Sequence, residues 1–148
     1  MKKETIETLG KKLPDEAVKP HPSKTYLSTI KPMYVVDVLN EAFGVGEWVM
    51  EVQPVNFIGK FAVAKVKFTV HKEGIHLEQF GGSDNTDVGD AYKGAATDAL
   101  TKIASYLGVG ASVYKGQGNI DAGDILESSH DKDKSVTPAV NNDGLSSL

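Results

Sequence analysis

A two-residue alternation along residues 61–70 is the feature that most limits the folds open to this chain. Small and apolar side chains occupy the even positions, and the odd positions include Lys65 and Lys67. Because successive side chains of a β-strand point to opposite faces, this segment predicts a strand with one buried face and one lysine-bearing face. Turn signals at residues 58–59 and 73–74 bound the segment and predict hairpins on both sides, hence an antiparallel meander.

Helical periodicity flanks this meander on both sides. Apolar residues at three- and four-residue spacing predict a helix over residues 31–43, ended by Gly44. A longer apolar stripe predicts a second helix over residues 87–107. The expected fold class is therefore α+β: an antiparallel meander of three to four strands packed against the long helix and preceded by the shorter one. Residues 111–114 either add the fourth strand or cover a sheet edge.

The two ends of the chain differ from this core, which we expect to span residues 25–118. Residues 1–24 contain three prolines among alternating charges and predict an N-terminal arm, extended apart from one short helix near residues 15–18. Residues 119–148 hold six acidic residues and two lysines, a net charge of −4, and are rich in Ser, Asn and Asp. This composition predicts a largely disordered acidic tail. Since the net charge of the whole chain is also −4, residues 1–118 have a net charge of zero.

Composition excludes several classes of chemistry. The chain has no cysteine, which rules out disulfides, thiol nucleophiles, iron–sulfur clusters and cysteine-bound zinc. All 16 basic residues are lysines, so the bidentate guanidinium reader of guanine edges is missing and sequence-specific duplex recognition is disfavoured. No phosphate-binding P-loop motif occurs. No apolar run is long enough for a membrane span or a signal peptide, so a soluble, cytoplasmic protein is expected.

Two groups of potential metal ligands have simpler explanations. Two histidines near residues 73–74 could approach each other across the hairpin, but without a third ligand they are more typical of a surface. Four acidic residues surround the start of the long helix, where acidic residues are also favoured as helix caps. They could alternatively hold the divalent ion of a nuclease. These four carboxylates are Glu78, Asp84, Asp87 and Asp90.

A ridge of hydroxyls and ammonium groups follows the long helix, on the face that we expect to lie opposite its apolar stripe. Such a ridge could follow a nucleic-acid backbone, with lysines of the meander as a second wall, or it could be an ordinary solvated face. The ridge consists of Lys93, Thr97, Thr101 and Ser105, with Asp98 and Lys102 one position along, and the second wall of Lys60, Lys65 and Lys67.

Two segments of the chain resemble the sequence motifs of a known family: GDAYKGAATDALTKIASYLG at residues 89–108 and VVDVLNEAFGVGEW at residues 35–48. In the Rad52 family of single-strand annealing proteins, a helix reading roughly A-x-K-x-A-x-T-D-x-L-K-R-A follows a β-meander. That meander is preceded by a helix ending N-E-x-F-G and by a strand bearing Trp. The chain resembles this family over about residues 13–115, and is most similar to its short bacterial and phage members.

The resemblance implies an oligomeric ring whose subunits lie side by side and whose positively charged groove holds single-stranded DNA with its bases exposed. It implies neither ATP nor any other cofactor. By position, Lys93 and Lys102 match basic groove residues, and Thr97 belongs to the Thr-Asp pair of the motif. Thr101 replaces the first member of a Lys-Arg pair, and Tyr34 stands where a basic residue is often found. Tyr34 either stacks on a base or packs in the core.

The resulting hypothesis is a non-enzymatic protein that binds single-stranded DNA and anneals complementary strands in recombination or repair. One alternative is a protein that protects single-stranded ends on the same fold without annealing. A remote alternative is the metal-dependent nuclease. The acidic tail either docks a partner, such as a single-strand binding protein or an exonuclease, or limits nonspecific binding, or keeps the protein soluble.

Overall fold

The computed structural model describes residues 1–24 and 26–123. Its helices and strands occur in the predicted order of helix, meander and helix, with additional short elements near both ends. The elements are α1 (Lys3–Leu9), β1 (Val18–Pro20), β2 (Ser28–Ile30), α2 (Pro32–Phe43), β3 (Val49–Ile58), β4 (Phe61–Val70), β5 (Ile75–Asp84), α3 (Val88–Tyr106) and α4 (Ala111–Tyr114), with 3₁₀ turns at Asp15–Ala17 and His71–Glu73.

The main sheet is an antiparallel meander in the order β3-β4-β5, which confirms the predicted fold class. In the central strand β4 the even positions are buried and the odd positions are exposed or half-buried, as the alternation predicts. Val66 pairs with Val52 on one side and with Gln79 on the other. A register shift between Pro54 and Asn56 places a bulge in β3.

Helix α3 crosses the buried face of the sheet at a point where there is no room for a side chain. A Cβ atom on Gly81 of β5 would overlap the carbonyl oxygen of Ala95 and come within 2.5 Å of the backbone nitrogen of Ala99. Both alanines are fully buried. Only glycine at this position lets the helix backbone lie directly on the strand.

The main core lies where α2 and α3 meet the other end of the sheet. Phe68 of β4 is fully buried, with its ring centroid 6.5 Å from that of Phe43 and 5.6 Å from that of Trp48. The Trp48 indole N–H donates a 2.8 Å hydrogen bond to the side-chain oxygen of Asn40 in α2. Trp48 is the only tryptophan of the chain and therefore reports on this core.

The expectation that residues 1–24 form an extended arm with a short helix only near residues 15–18 is wrong for α1. This helix packs on α2, and Leu9 and Leu13 are buried in the main core. The Asn119 side chain accepts a hydrogen bond from the Leu13 N–H and donates one to its carbonyl oxygen, at 2.9 and 2.7 Å. The first residues of the predicted acidic tail are thus ordered against the N-terminal segment, and residues 124–148 lie outside the described part of the chain.

Residues 111–114 form helix α4, so the prediction that they add a strand is wrong, and α4 contacts β2 of the short sheet. Gly110 is the N-cap residue directly before this helix, and its φ of 64° lies in the left-handed region that favours glycine. The second sheet is a short antiparallel hairpin of β1 and β2. Strand β1 belongs to the predicted arm, and β2 to the start of the predicted core.

The two edges of the main sheet differ in how they are covered. At the β5 edge, the Asp98 carboxylate of α3 accepts a hydrogen bond from the Gly82 N–H at 3.0 Å. The β3 edge has little helix cover, and its apolar residues stay exposed, Ile58 at 73%. A long exposed edge is a site for pairing with another chain. Within the described residues, no helix is both long enough and apolar enough to cross a membrane.

Substituting Gly81 with alanine tests the close contact between α3 and β5. Because the added Cβ meets backbone atoms that cannot rotate away, we expect Gly81→Ala to lower the free energy of unfolding by about 3 kcal/mol. Denaturant unfolding followed by Trp48 fluorescence measures this change. Gly123→Ala, where an added Cβ meets no atom within 4 Å, is the control and should unfold like the wild type. Equal stability of both variants would contradict the proposed packing constraint.

Candidate nucleic-acid interface

A cleft opens between α3, the β1–β2 hairpin and α4. Its inner part has a volume of about 240 Å³, and its outer part of about 600 Å³ continues along the hairpin loop. Ser28, Thr29 and Tyr114 line both parts, so the two volumes are adjacent. We call this space the hairpin cleft. Its inner wall also includes Thr97, Asp98 and Thr101 of α3, and its outer wall His21, Tyr26 and Leu27 of the hairpin.

Close packing of Gly110 on β2 holds the two sides of the hairpin cleft together. A Cβ atom on Gly110 would overlap the Cδ1 atom of Ile30, so the turn between α3 and α4 lies directly against the hairpin. Ile30 is buried, and the Lys31 N–H donates a 2.8 Å hydrogen bond to the Ala17 carbonyl oxygen. The α4 side is anchored by Ser112, which is 4% exposed. Its hydroxyl is hydrogen-bonded to the backbone of Ile120.

The hydroxyls of the predicted ridge are bonded to the α3 backbone. Thr97 donates to the Gly94 carbonyl oxygen at 3.0 Å and Thr101 to the Asp98 carbonyl oxygen at 2.8 Å. Because each hydroxyl proton is already used, neither group can donate to a phosphate without breaking this bond. Thr101 is only 7% exposed, so the expectation that it lies opposite the apolar stripe on a solvated face is wrong. Thr97 and Thr101 instead shape the inner wall of the hairpin cleft.

The two lysines of the ridge are exposed and each has an acidic partner. The Lys93 ammonium lies 3.9 Å from the Asp90 carboxylate, and that of Lys102 lies 3.4 Å from the Asp98 carboxylate. Exposed pairs of this kind contribute little to stability, so an incoming phosphate can replace the carboxylate at low cost.

The lysines of the meander lie on the other face of the sheet. Lys65 and Lys67 both approach Glu78, at 2.9 and 3.9 Å, and the hydrogen bond from Lys65 is the main cause that lowers the pKa of Glu78. Because α3 packs on the opposite face, the prediction that these lysines form the second wall of one groove is wrong within a single chain. The alternation of β4 already contained this information, since it placed the lysines away from the buried face. Lys60 is exposed in the turn between β3 and β4.

Tyr34 is also separate from the ridge. It is half-buried on α2, packs against the main core, and lines a cavity of about 290 Å³ together with Lys11, Leu13 and Asp37. Its position in the core supports the packing alternative that the sequence left open. The contact of Tyr34 with DNA stays a prediction.

Four lysines near the hairpin cleft were missed by the sequence reading. Residues 17–36 and 99–120 contain no acidic residue, and both segments contribute to the walls of the cleft. Between them they carry Lys19, Lys24, Lys31, Lys102 and Lys115. Apart from Lys102, these lysines are exposed and have no salt bridge to any residue that the structure describes. A search for acid-free windows, rather than for regularly spaced lysines, would have found them.

The four carboxylates considered for a metal site do not form one cluster, and three of them, Glu78, Asp87 and Asp90, have other partners. The Asp87 carboxylate accepts a 2.9 Å hydrogen bond from the Asp90 N–H and caps α3, as the alternative explanation held. Glu78 faces Lys65 on the outer side of the sheet. Among residues 1–24 and 26–123, no group of three or more His, Asp or Glu side chains is placed to hold a metal ion. Of the two histidines near residues 73–74, His76 lies within hydrogen-bond distance of the Thr69 hydroxyl, at 3.0 Å.

The fold defines a small α+β protein with a cleft beside its long helix, to which two lysine-containing and acid-free chain segments contribute walls. The profile of the Rad52/22 family double-strand break repair proteins matches residues 2–124, most of the chain, and the chain belongs to this family. The family binds single-stranded DNA and acts in DNA repair and recombination, with single-strand annealing as its activity. No curated protein matches the chain with significant similarity.

The Tyr114 hydroxyl provides a titration that reports on the cleft. Burial raises the pKa of Tyr114 above its ordinary value of 10.0, the Thr101 hydroxyl opposes this rise, and Asp98 adds to it. The folded pKa lies above the unfolded one, so its contribution to stability is complete below pH about 10 and is lost as the pH rises through the folded pKa.

We therefore expect the wild type to lose stability more steeply above pH about 10 than Tyr114→Phe does. Unfolding followed by Trp48 fluorescence at several alkaline pH values measures the slope. The difference in phenolate absorbance between the two proteins gives the pKa of Tyr114 directly. A titration at the ordinary pKa would contradict the burial of this hydroxyl against Thr101 and Asp98.

Proposed function

We propose that this protein binds single-stranded DNA and anneals complementary strands without ATP and without catalysing any covalent step, in recombination or repair. The observation that carries the proposal is the convergence of two acid-free, lysine-bearing segments on one cleft beside α3, in a chain of the Rad52/22 family. The hairpin cleft is the proposed path of the strand.

The chemistry of the cleft suits a task that requires no base-specific reader. Annealing needs the phosphates of two strands neutralised, so that their repulsion falls, while the bases stay free to sample pairing. Lysine ammonium groups neutralise phosphates as point charges, and base pairing supplies the specificity. The absence of arginine and of a metal cluster in the described residues is compatible with this mechanism.

The predicted contacts divide into two surfaces. Lys93 and Lys102 are adjacent in sequence to Gly94 and Thr101, which line the hairpin cleft, and binding would exchange their carboxylate partners for phosphates. Lys60, Lys65 and Lys67 remain predicted contacts, but for DNA that reaches the turn of β3 and β4 or the outer face of the sheet.

Side-by-side assembly into a ring is part of the proposal. Its support is the exposed β3 edge, whose apolar residues Val49, Val52 and Ile58 are 44%, 44% and 73% exposed. A ring would multiply modest contacts per chain into strong overall binding. Cytoplasmic location, and docking of a single-strand binding protein or an exonuclease by the acidic tail, are further proposals that rest on the sequence.

The experiment that tests the proposed function mixes two complementary oligonucleotides carrying a donor and an acceptor dye and follows energy transfer over time. We expect the protein to accelerate pairing equally with and without ATP and magnesium. Binding that leaves pairing unchanged or slower would contradict annealing and favour the end-protection alternative. Magnesium-dependent loss of a labelled strand would favour the nuclease, which the dispersed carboxylates do not support.

Removing lysines from each surface separates the two candidate paths. We expect Lys93→Ala/Lys102→Ala and Lys24→Ala/Lys115→Ala each to weaken single-strand binding. Each lost phosphate contact should reduce the slope of log K against log salt by about 0.7. Fluorescence anisotropy of a labelled oligonucleotide over a salt series measures both quantities.

Lys65→Ala/Lys67→Ala is the charge-matched comparison on the other face of the sheet. If the strand follows the hairpin cleft alone, this variant binds like the wild type. Unchanged binding in both cleft variants, together with a loss in the comparison variant, would move the path to the outer face.

A further inference from the structure

Two tyrosines from different elements line the outer part of the hairpin cleft. Tyr26 belongs to the hairpin loop and is 82% exposed, and Tyr114 belongs to α4 and is 48% exposed. Both line the cavity of about 600 Å³, which lies within the size range of small-molecule sites.

The hairpin loop holds Tyr26 on a hydrogen-bonded turn. The His21 Nδ1 atom accepts hydrogen bonds from the N–H groups of Ser23 and Lys24, both at 3.2 Å. The Leu27 N–H donates to the Lys24 carbonyl oxygen at 2.8 Å, and the His21 N–H donates to that of Leu27 at 2.8 Å. These bonds tie the backbone of Lys24 and Leu27, on either side of Tyr26, to His21.

Tyr114 lies in a short helix that packs on the core through Val113. Its neighbours Ser112 and Val113 are buried, and its hydroxyl lies near Thr101 at the junction of the two parts of the cleft. The ring consequently has one side against the protein and the other toward the outer cavity.

The charges around this pair identify the occupant. Lys24 lies two residues before Tyr26 and Lys115 directly follows Tyr114, and among the residues that the structure describes Asp98 is the only acidic one lining either part of the cleft. Aromatic surface beside ammonium groups matches a nucleotide unit, whose base is flat and whose phosphate is anionic. An apolar peptide would gain nothing from the lysines.

We propose that Tyr26 and Tyr114 anchor a base of single-stranded DNA by stacking, which deepens and rests on the proposed function. Stacking is tolerant of sequence because every base has a flat face. One anchored base per chain sets the position of the strand in the cleft, and the bases between anchors stay free to pair. Binding then depends on the bases as well as on the phosphates.

The test compares affinities for an ordinary oligonucleotide and an abasic one of the same length. We expect the wild type to prefer the ordinary strand, and Tyr26→Ala and Tyr114→Ala each to lose about tenfold in affinity for it while binding the abasic strand unchanged. Tyr26→Phe, which keeps the ring, should restore the preference. Tyr106→Ala is the matched control, since Tyr106 is 64% exposed at the end of α3 but outside the cleft.

The outcomes separate this inference from the proposed function. A wild type that binds neither strand overturns the proposed function. A wild type that binds both strands equally, or a Tyr26→Ala variant that keeps the full preference, overturns stacking and leaves single-strand binding intact. An acidic peptide as the true occupant would also produce equal binding. Tyr26 is exposed in a loop, so its variants test the inference even if Tyr114→Ala fails to fold.

Discussion

The direct contact of α3 with β5 is the constraint on which the rest of the molecule depends. Because Gly81 has no side chain, the helix backbone at Ala95 and Ala99 lies on the strand itself. This contact brings Asp98 within hydrogen-bond distance of the Gly82 N–H, so the same helix covers the β5 edge. The opposite edge, β3, keeps its exposed apolar residues, and the sheet is left with one covered and one open side.

Helix α3 therefore has two functions on two faces. Its apolar face completes the core, and its Thr97–Thr101 face forms the inner wall of the hairpin cleft. The threonine hydroxyls turn back to the helix carbonyls, which leaves the exposed lysines as the groups able to meet a phosphate. The lysines of the segments that contribute to the cleft belong mainly to the hairpin and to the residues after α3, rather than to the helix alone.

Much of the fold could be predicted because it is encoded in local periods. The alternation of residues 61–70 and the apolar stripe of α3 are properties of single elements, and both were confirmed. Helix α1 was missed because its burial depends on Leu9 meeting α2, a contact between elements that no local pattern shows. The candidate site was predicted in part: Lys93, Lys102, Thr97 and Thr101 belong to one helix, but the lysines of β4 lie across the sheet from them.

The sequence by itself determined the chemistry available to this protein and the elements that carry it. A chain without arginine has no guanidinium for a bidentate grip on an anion and meets it with lysines, other polar side chains and backbone N–H groups, whatever its fold. Only the tertiary structure decided which lysines share a surface. Residues 17–36 and 99–120 are far apart in the chain, and they form one cleft because Gly110 lets the turn after α3 pack directly against Ile30 of the hairpin.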